Sequence, residues 1–278
     1  LHVVDLKLGD AGGGERHARR LVSLDDTGRA SYARRVNYNG GKAYTIKRHG
    51  MGEFWRAYLA GVPVRRFVDG CCGSGAVSAF VGRERPDLAL VCNDVHPAAV
   101  ALLRGVAREG WTPPPTLTEE RYVELREASR RGEVSAEIGF AGFGASFGGK
   151  YFGGFARPHA RQLDKAAASA RALIGDAAHL ARADFRCLDF EALPGAVGVL
   201  PGDVWYFDKP YEGTTGYAGT PRFDHPRFWA FAAALSEIVP VLVSEFAAPA
   251  GWRLIWSVER KLESRGGERV DAVFARER

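Results

Sequence analysis

The stretch Val204-Trp205-Tyr206-Phe207-Asp208-Lys209-Pro210-Tyr211 is an apolar run that passes without a break into an acid, a proline and an aromatic ring. An apolar run of this length, bounded by turn residues, fits a strand buried on both faces of a parallel sheet. In such sheets functional side chains collect beyond the carboxyl ends of the strands, which makes Asp208 to Tyr211 a candidate strand-end site. An ordinary core strand followed by a turn is the other reading of these eight residues taken alone.

Three further strand ends carry the same kind of signal. A short apolar stretch from Val62 to Val68 runs into Asp69-Gly70-Cys71-Cys72-Gly73-Ser74-Gly75-Ala76-Val77, where glycines let the backbone turn sharply and approach a ligand before a helix starts. About twenty residues on, Leu88-Ala89-Leu90-Val91-Cys92 ends at Asn93-Asp94, and an acid there is placed to hydrogen-bond the two hydroxyls of a ribose. Glycine turn and delayed acid together point to a nucleoside-containing cofactor. Asp189-Phe190, after Phe185 to Leu188, is a third strand end with an acid. Upstream, Tyr38-Asn39-Gly40-Gly41-Lys42 is a glycine-rich turn whose lysine enters a helix, which suits an anionic ligand.

The 278 residues, 46% hydrophobic and 26% charged, exclude a disordered chain and imply one large domain or a domain with an insertion. No window approaches about 18 uninterrupted apolar residues, and the N-terminus from Leu1 to Asp26 is polar and Gly-rich rather than a charged, apolar and small-residue series, so neither a membrane span nor a secretion signal is expected. Cys71, Cys72, Cys92 and Cys187 match neither a zinc spacing nor a disulfide framework, so reduced thiols, no metal site and a cytoplasmic setting are expected. The net charge of +5 is mildly basic and favours a polyanionic partner only weakly. Basic residues crowd the first fifty positions, where a solvated basic face is the alternative.

Helices are expected from Phe54 to Ala60, Pro97 to Glu109, Leu117 to Arg131, Leu163 to Ala183 and Arg227 to Ile238, the last with Asp224 as N-cap. Strands are expected from Val239 to Phe246 and twice in the tail from Trp252. Residues 1–37 read as a flexible or loosely packed arm, residues 38–110 and 163–278 as the main α/β domain, and residues 111–162 as an insertion. The insertion holds Phe140 to Arg157, where aromatics alternate with glycines and the basic Lys150 and Arg157. Such a segment stacks on bases and grips phosphate, or packs as a loop on the core; both readings stand.

Taken together, Tyr38 to Lys42, Asp69 to Gly75, Asn93-Asp94, Asp189-Phe190 and Asp208 to Tyr211 resemble, in order, the motifs of the Dam-type DNA adenine-N6 methyltransferases, including phage-borne members. The resemblance covers roughly Tyr38 to Phe246. It implies a Rossmann-like methyltransferase sheet of about seven mostly parallel strands, S-adenosylmethionine as cofactor, an inserted target-recognition region, and a bacterial or phage-infected cell. By matching position, Tyr38 and Lys42 would hold the methionine end of the cofactor. Asp69 and Gly73-Ser74-Gly75 would surround its amino-acid and sulfonium region, Asp94 would take the ribose, and Asp189 and Phe190 would meet the adenine.

The resemblance further implies double-stranded DNA as partner, with a flipped adenine. No obligate protein partner is expected. Asp208 and the backbone carbonyl of Lys209 would accept both N6 hydrogens ahead of Pro210, Tyr211 would stack on the base, and Lys150, Arg157 and Tyr217 would contact DNA. One residue departs from the pattern, since the family has proline where this chain has Lys209. Two positive charges about 5 Å apart, at an effective dielectric near 20, repel by about 3 kcal/mol, so a lysine aimed at a sulfonium weakens cofactor binding. Three readings follow: Lys209 points to solvent or DNA phosphate; it meets a carboxylate on the transferred group, as in carboxy-S-adenosylmethionine; or the chain is an inert DNA-binding relative.

Overall fold

The computed structural model describes residues 3–9, 15–21, 41–157, 164–214, 220, 222–261 and 268–276. Tyr38 and Tyr217 lie outside the described residues. Within the expected arm, β1 (Val3–Gly9) and β2 (Glu15–Leu21) form an antiparallel ladder, with Val3 opposite Leu21 and Gly9 opposite Glu15. α1 (Ala43–Arg48) and α2 (Met51–Gly61) follow and lead into the main sheet.

That sheet has seven strands: β3 (Arg66–Asp69), β4 (Ala89–Asn93), β5 (Asp184–Arg186), β6 (Asp203–Phe207), β7 (Val241–Glu245), β8 (Trp252–Lys261) and β9 (Glu268–Arg276). Their spatial order is β5-β4-β3-β6-β7-β9-β8. The first five are parallel, and β9 runs antiparallel between β7 and β8. The chain moves outward from β3 to β5, then returns to place β6 on the other side of β3. This reversal opens a crevice beyond the carboxyl ends of β3 and β6. The expected Rossmann-like sheet of about seven mostly parallel strands is therefore what forms.

Side chains alternate across the sheet, as strand geometry requires. Phe67, Leu90, Tyr206 and Leu242 join one apolar cluster, and Val68, Val91, Trp205, Phe207, Val241 and Val243 join the other. Both faces are covered, which is why β6 reads as an uninterrupted apolar run. The larger layer contains α2, α3 (Ala76–Glu84), α4 (Pro97–Ala107) and α7 (Lys165–Leu180); the smaller contains α8 (Leu193–Val197) and α9 (His225–Ser236). α9 starts as expected, with Asp224 accepting from the Arg227 N–H at 3.0 Å. Among the described residues no helix is long and apolar enough to cross a membrane, and all four cysteines are unbridged.

Between α4 and α7 the chain forms α5 (Glu119–Arg130), α6 (Ala136–Gly139), a π-helical turn (Phe140–Gly144) and a 3-10 turn (Phe147–Gly149). These elements pack on α4 and α7. Phe140 and Phe143 are fully buried, and Tyr151 and Phe152 pack against the same core. A Cβ at Gly142 would sit 2.3 Å from the Tyr151 ring, so this glycine is what lets the ring close down on the turn. Of the two readings of the aromatic and glycine alternation, packing on the core describes these rings. Phe147 is the exception, 73% exposed at the tip of the segment.

Candidate active site

The carboxyl ends of the parallel strands converge on one cavity. Its wall takes Gly41 and Lys42 from before α1, Asp69 to Ser74 from β3, Asp94 to His96 from β4, Leu188 to Phe190 after β5, and Asp208 and Pro210 after β6. Thr220, Arg222 to Asp224 and Arg227 complete it on the α9 side. Most of the residues picked out in the sequence are thus brought together: Lys42, Asp69, Gly73, Ser74, Asp94, Asp189, Phe190, Asp208 and Pro210. Gly75 stands just behind the wall as N-cap of α3, with φ of 70°.

Asn93, adjacent to Asp94, explains how three strand ends are held together. Its side-chain amide donates to the carbonyls of Gly70 and Leu188, both at 3.0 Å, and its Oδ1 accepts from the Leu188 N–H at 3.0 Å. Asp94 then accepts the Gly73 N–H at 2.9 Å on one oxygen and the His96 N–H at 2.8 Å on the other. Each carboxylate oxygen retains accepting capacity for a ligand hydroxyl. Asp189 sits at the rim, paired with Arg227, whose guanidinium stacks 4.6 Å from the centroid of the Phe190 ring.

Lys42 donates to Asp208 Oδ1 at 2.6 Å and lies 4.8 Å from the centroid of the Tyr211 ring. Burial disfavours the Lys42 ammonium, but Asp208, Tyr211 and Asp271 outweigh it, so its pKa is raised. Burial raises the Asp208 pKa, and Lys42 opposes that rise. The deep part of the cavity therefore carries Asp69, Asp94 and Asp208 against one lysine, a surplus of negative charge that suits a cationic ligand.

Asp69 is the least satisfied of the three. Oδ2 accepts from the Ser78 hydroxyl at 2.7 Å, whereas Oδ1 is buried with no hydrogen-bond partner among the described residues. Burial pushes its carboxyl up to about 7; the Ser78 bond opposes this and the charges of Asp208 and Asp94 add to it. A carboxyl that binds protons more tightly folded than unfolded contributes stability that is full below about pH 4 and lost as pH rises through about 7. For Asp69 this amounts to about 4 kcal/mol. Urea unfolding of the ligand-free protein is expected to show stability falling from pH 5 to pH 8. Asp69→Asn is expected to flatten that slope without abolishing it, because Asp94 and Asp208 are raised as well.

Lys209 is not brought to the cavity wall. Its side chain is fully buried and points to the end of β7, where its ammonium pairs with Glu245 Oε2. His225 Nδ1 lies 3.3 Å away, and the Phe223, Phe228 and Trp229 ring centroids lie 5.3–5.7 Å from Nζ. The solvent-facing reading of Lys209 is therefore corrected, because the side chain is buried against Glu245. It is turned away from solvent and from the cavity, and the chain supplies its own carboxylate. The repulsion anticipated for a sulfonium is thereby countered by Glu245, a residue the sequence reading left inside an apolar strand.

Tyr211 is also removed from the wall, 6% exposed, with its ring edge-on to Phe246 at 4.6 Å and 88°. Burial pushes its hydroxyl up to about 12. In this arrangement it offers no open face to a base. Arg157 pairs with Glu119 on α5, and Lys150 is exposed beside the 3-10 turn; neither lines the cavity. His96 was missed: it is 4% exposed, lines the cavity, and stands edge-on to Tyr151 at 4.3 Å and Phe143 at 5.0 Å. Its position immediately before Pro97, at a helix start two residues after Asp94, was the available signal.

Fold and site define a Rossmann-like α/β protein with an acid-rich cavity at its topological switch point. Neither a protein-family model nor a curated protein matches the chain. Among solved structures, it is similar to the rRNA methyltransferase aviRa from Streptomyces viridochromogenes, at 20% identity over 81% of this chain and 82% of that one, TM-score 0.40. It is also similar to TrmN from Thermus thermophilus, at 14% identity over 81% of this chain and 48% of that one, TM-score 0.34. SMU.1697c from Streptococcus mutans, solved in complex with SAH, gives 7% identity, 81% and 97% coverage, and TM-score 0.34. Likeness at this level carries nothing about substrate.

Proposed function

We propose that this chain transfers a methyl group from S-adenosylmethionine to N6 of adenine in DNA. The observation that carries the reading is Asp208: a carboxylate at the end of β6 that faces the same cavity as the glycine turn and the ribose acid, with Oδ1 held by Lys42. The cavity fits such a cofactor on its own terms. Asp69 leaves a buried oxygen in need of a donor, Asp94 presents both oxygens, and the deep charge is negative. The cofactor, when bound, supplies an electrophilic carbon on a sulfonium.

The chain's own residues then act on the amine. The lone pair of adenine N6 is delocalised into the ring, so N6 is a poor nucleophile until its hydrogens are drawn out of plane. Asp208 Oδ2, the oxygen not held by Lys42, and the backbone carbonyl of Lys209 are the acceptors proposed for those two hydrogens. Positioning and electrostatics supply the rate, with no covalent enzyme intermediate required. Methyl is the group proposed because the Lys209 ammonium is already held by Glu245. The exposed Phe147, Lys150 and Arg157 segment is the proposed DNA contact.

Tritium transfer from labelled S-adenosylmethionine, measured in parallel on adenine-unmethylated genomic DNA and on total RNA, tests the reading. Label in DNA supports it; label in RNA alone, or in neither, overturns it. Asp94→Ala is expected to weaken binding of S-adenosylhomocysteine about 10- to 100-fold by calorimetry, the worth of one or two charged hydrogen bonds.

A further inference from the structure

Glu245 does more than neutralise a charge. Its Oε2 accepts from Lys209 and also from the Glu212 N–H at 3.1 Å, while Oε1 accepts from the Phe246 N–H at 2.8 Å. One carboxylate at the end of β7 therefore grips the chain on both sides of Pro210 and Tyr211. The far side of Lys209 is closed by His225, the first residue of α9. A protonated lysine has only hydrogens to offer, so His225 Nδ1 accepts from it, which fixes the tautomer of a neutral imidazole. A buried ion pair adds little net stability over well-packed apolar residues, because desolvation cancels most of the attraction. What such a pair does provide is a fixed geometry, here imposed on the residue whose carbonyl lies between Asp208 and Pro210.

We propose that Lys209 and Glu245 form a clasp that positions the Asp208 carboxylate and the Lys209 carbonyl for the target amine, making Lys209 a positioning residue for group transfer. The clasp occupies the position where the resembled family has a proline, whose ring restricts the backbone directly. Restraint through a side chain takes the place of restraint through a ring. The inference rests on the proposed transfer to an amine in DNA and adds to it a role for two residues outside the cavity wall.

The test compares wild type with Lys209→Met, Lys209→Met/Glu245→Gln and Lys209→Pro/Glu245→Gln. Single-turnover transfer from labelled S-adenosylmethionine to adenine-unmethylated DNA is measured beside the Kd for S-adenosylhomocysteine. Loosening the clasp in Lys209→Met is expected to lower the transfer rate about 100-fold, the effect of displacing a reacting group by about 1 Å. The Kd is expected to stay within about threefold, since neither residue lines the cavity. The proline double variant is expected to transfer at least about tenfold faster than the methionine double variant, a difference that lost packing alone does not produce. Equal rates in the two double variants, rate and Kd failing together, or Lys209→Met transferring like wild type overturns the clasp alone. A wild-type protein that transfers nothing to DNA overturns the clasp together with the function it rests on.

Discussion

Asp208→Ala is expected to lower the rate of transfer about 1000-fold, as measured by single-turnover incorporation of label into DNA. The carboxylate lies at the end of β6 and faces the same cavity as the glycine turn, and removing one such preorganised polar group costs about 10²–10³ in rate in other enzymes. Asp208→Asn is expected to be as severe. Lys42 holds Oδ1 at 2.6 Å and an ammonium offers only hydrogens, so the asparagine carbonyl is pinned toward Lys42. Its NH₂ then replaces Oδ2 and meets the amine donor to donor. An Asn variant that retains more than about a tenth of the wild-type rate would contradict this orientation. The two variants separate in stability, because alanine leaves Lys42 buried without its acid, at a cost of about 3–5 kcal/mol, whereas asparagine still accepts from it.

The second large effect concerns Glu245. Glu245→Leu is expected to destabilise the protein by about 3–5 kcal/mol, read as a fall of roughly 10 °C in Tm. The substitution leaves the Lys209 ammonium buried without its carboxylate and orphans the N–H groups of Glu212 and Phe246. Adding Lys209→Met is expected to recover part of the loss, because the uncompensated charge is removed while the two orphaned donors remain. Lys209→Met alone is expected to cost less than Glu245→Leu, since Glu245 still accepts from both N–H groups. Losses that add without coupling would show that Lys209 and Glu245 do not interact.

Asp69, Asp94 and Asp208 were legible in the sequence for one physical reason. Strands buried on both faces lose the alternation that marks a half-exposed strand, so each appears as an apolar run, and the first acid after it marks the open end of the sheet. The same grammar applies to Val241 to Glu245, which is also an apolar run ending in an acid. Glu245 was overlooked because it belongs to no glycine turn and no motif, yet its acid faces the β6 loop as those of β3 and β4 face the cavity.

The direction of Lys209 was not legible at all. Sequence places its Cα one residue from Asp208 but does not say which of several carboxylates its long side chain reaches, and the partner that holds it is 36 residues away. The insertion was ambiguous for another reason. Glycines that admit aromatic rings into a core and glycines that free a loop to grip a nucleic acid have the same composition, and only the closeness of Gly142 to Tyr151 separates them. β5 is also shorter than the apolar stretch around it, so Asp189 lies in the following loop at the rim rather than at a strand end.

The proposed delivery of a methyl group to adenine N6 is tested most directly by mass spectrometry of nucleosides. Adenine-unmethylated DNA is incubated with the protein and S-adenosylmethionine, and in a parallel arm with the carboxylated cofactor, then digested. N6-methyldeoxyadenosine in the first arm, absent with Asp208→Ala, is the predicted result. Carboxymethyldeoxyadenosine in the second arm without methylation in the first, modification confined to cytosine, or no modified nucleoside would contradict it.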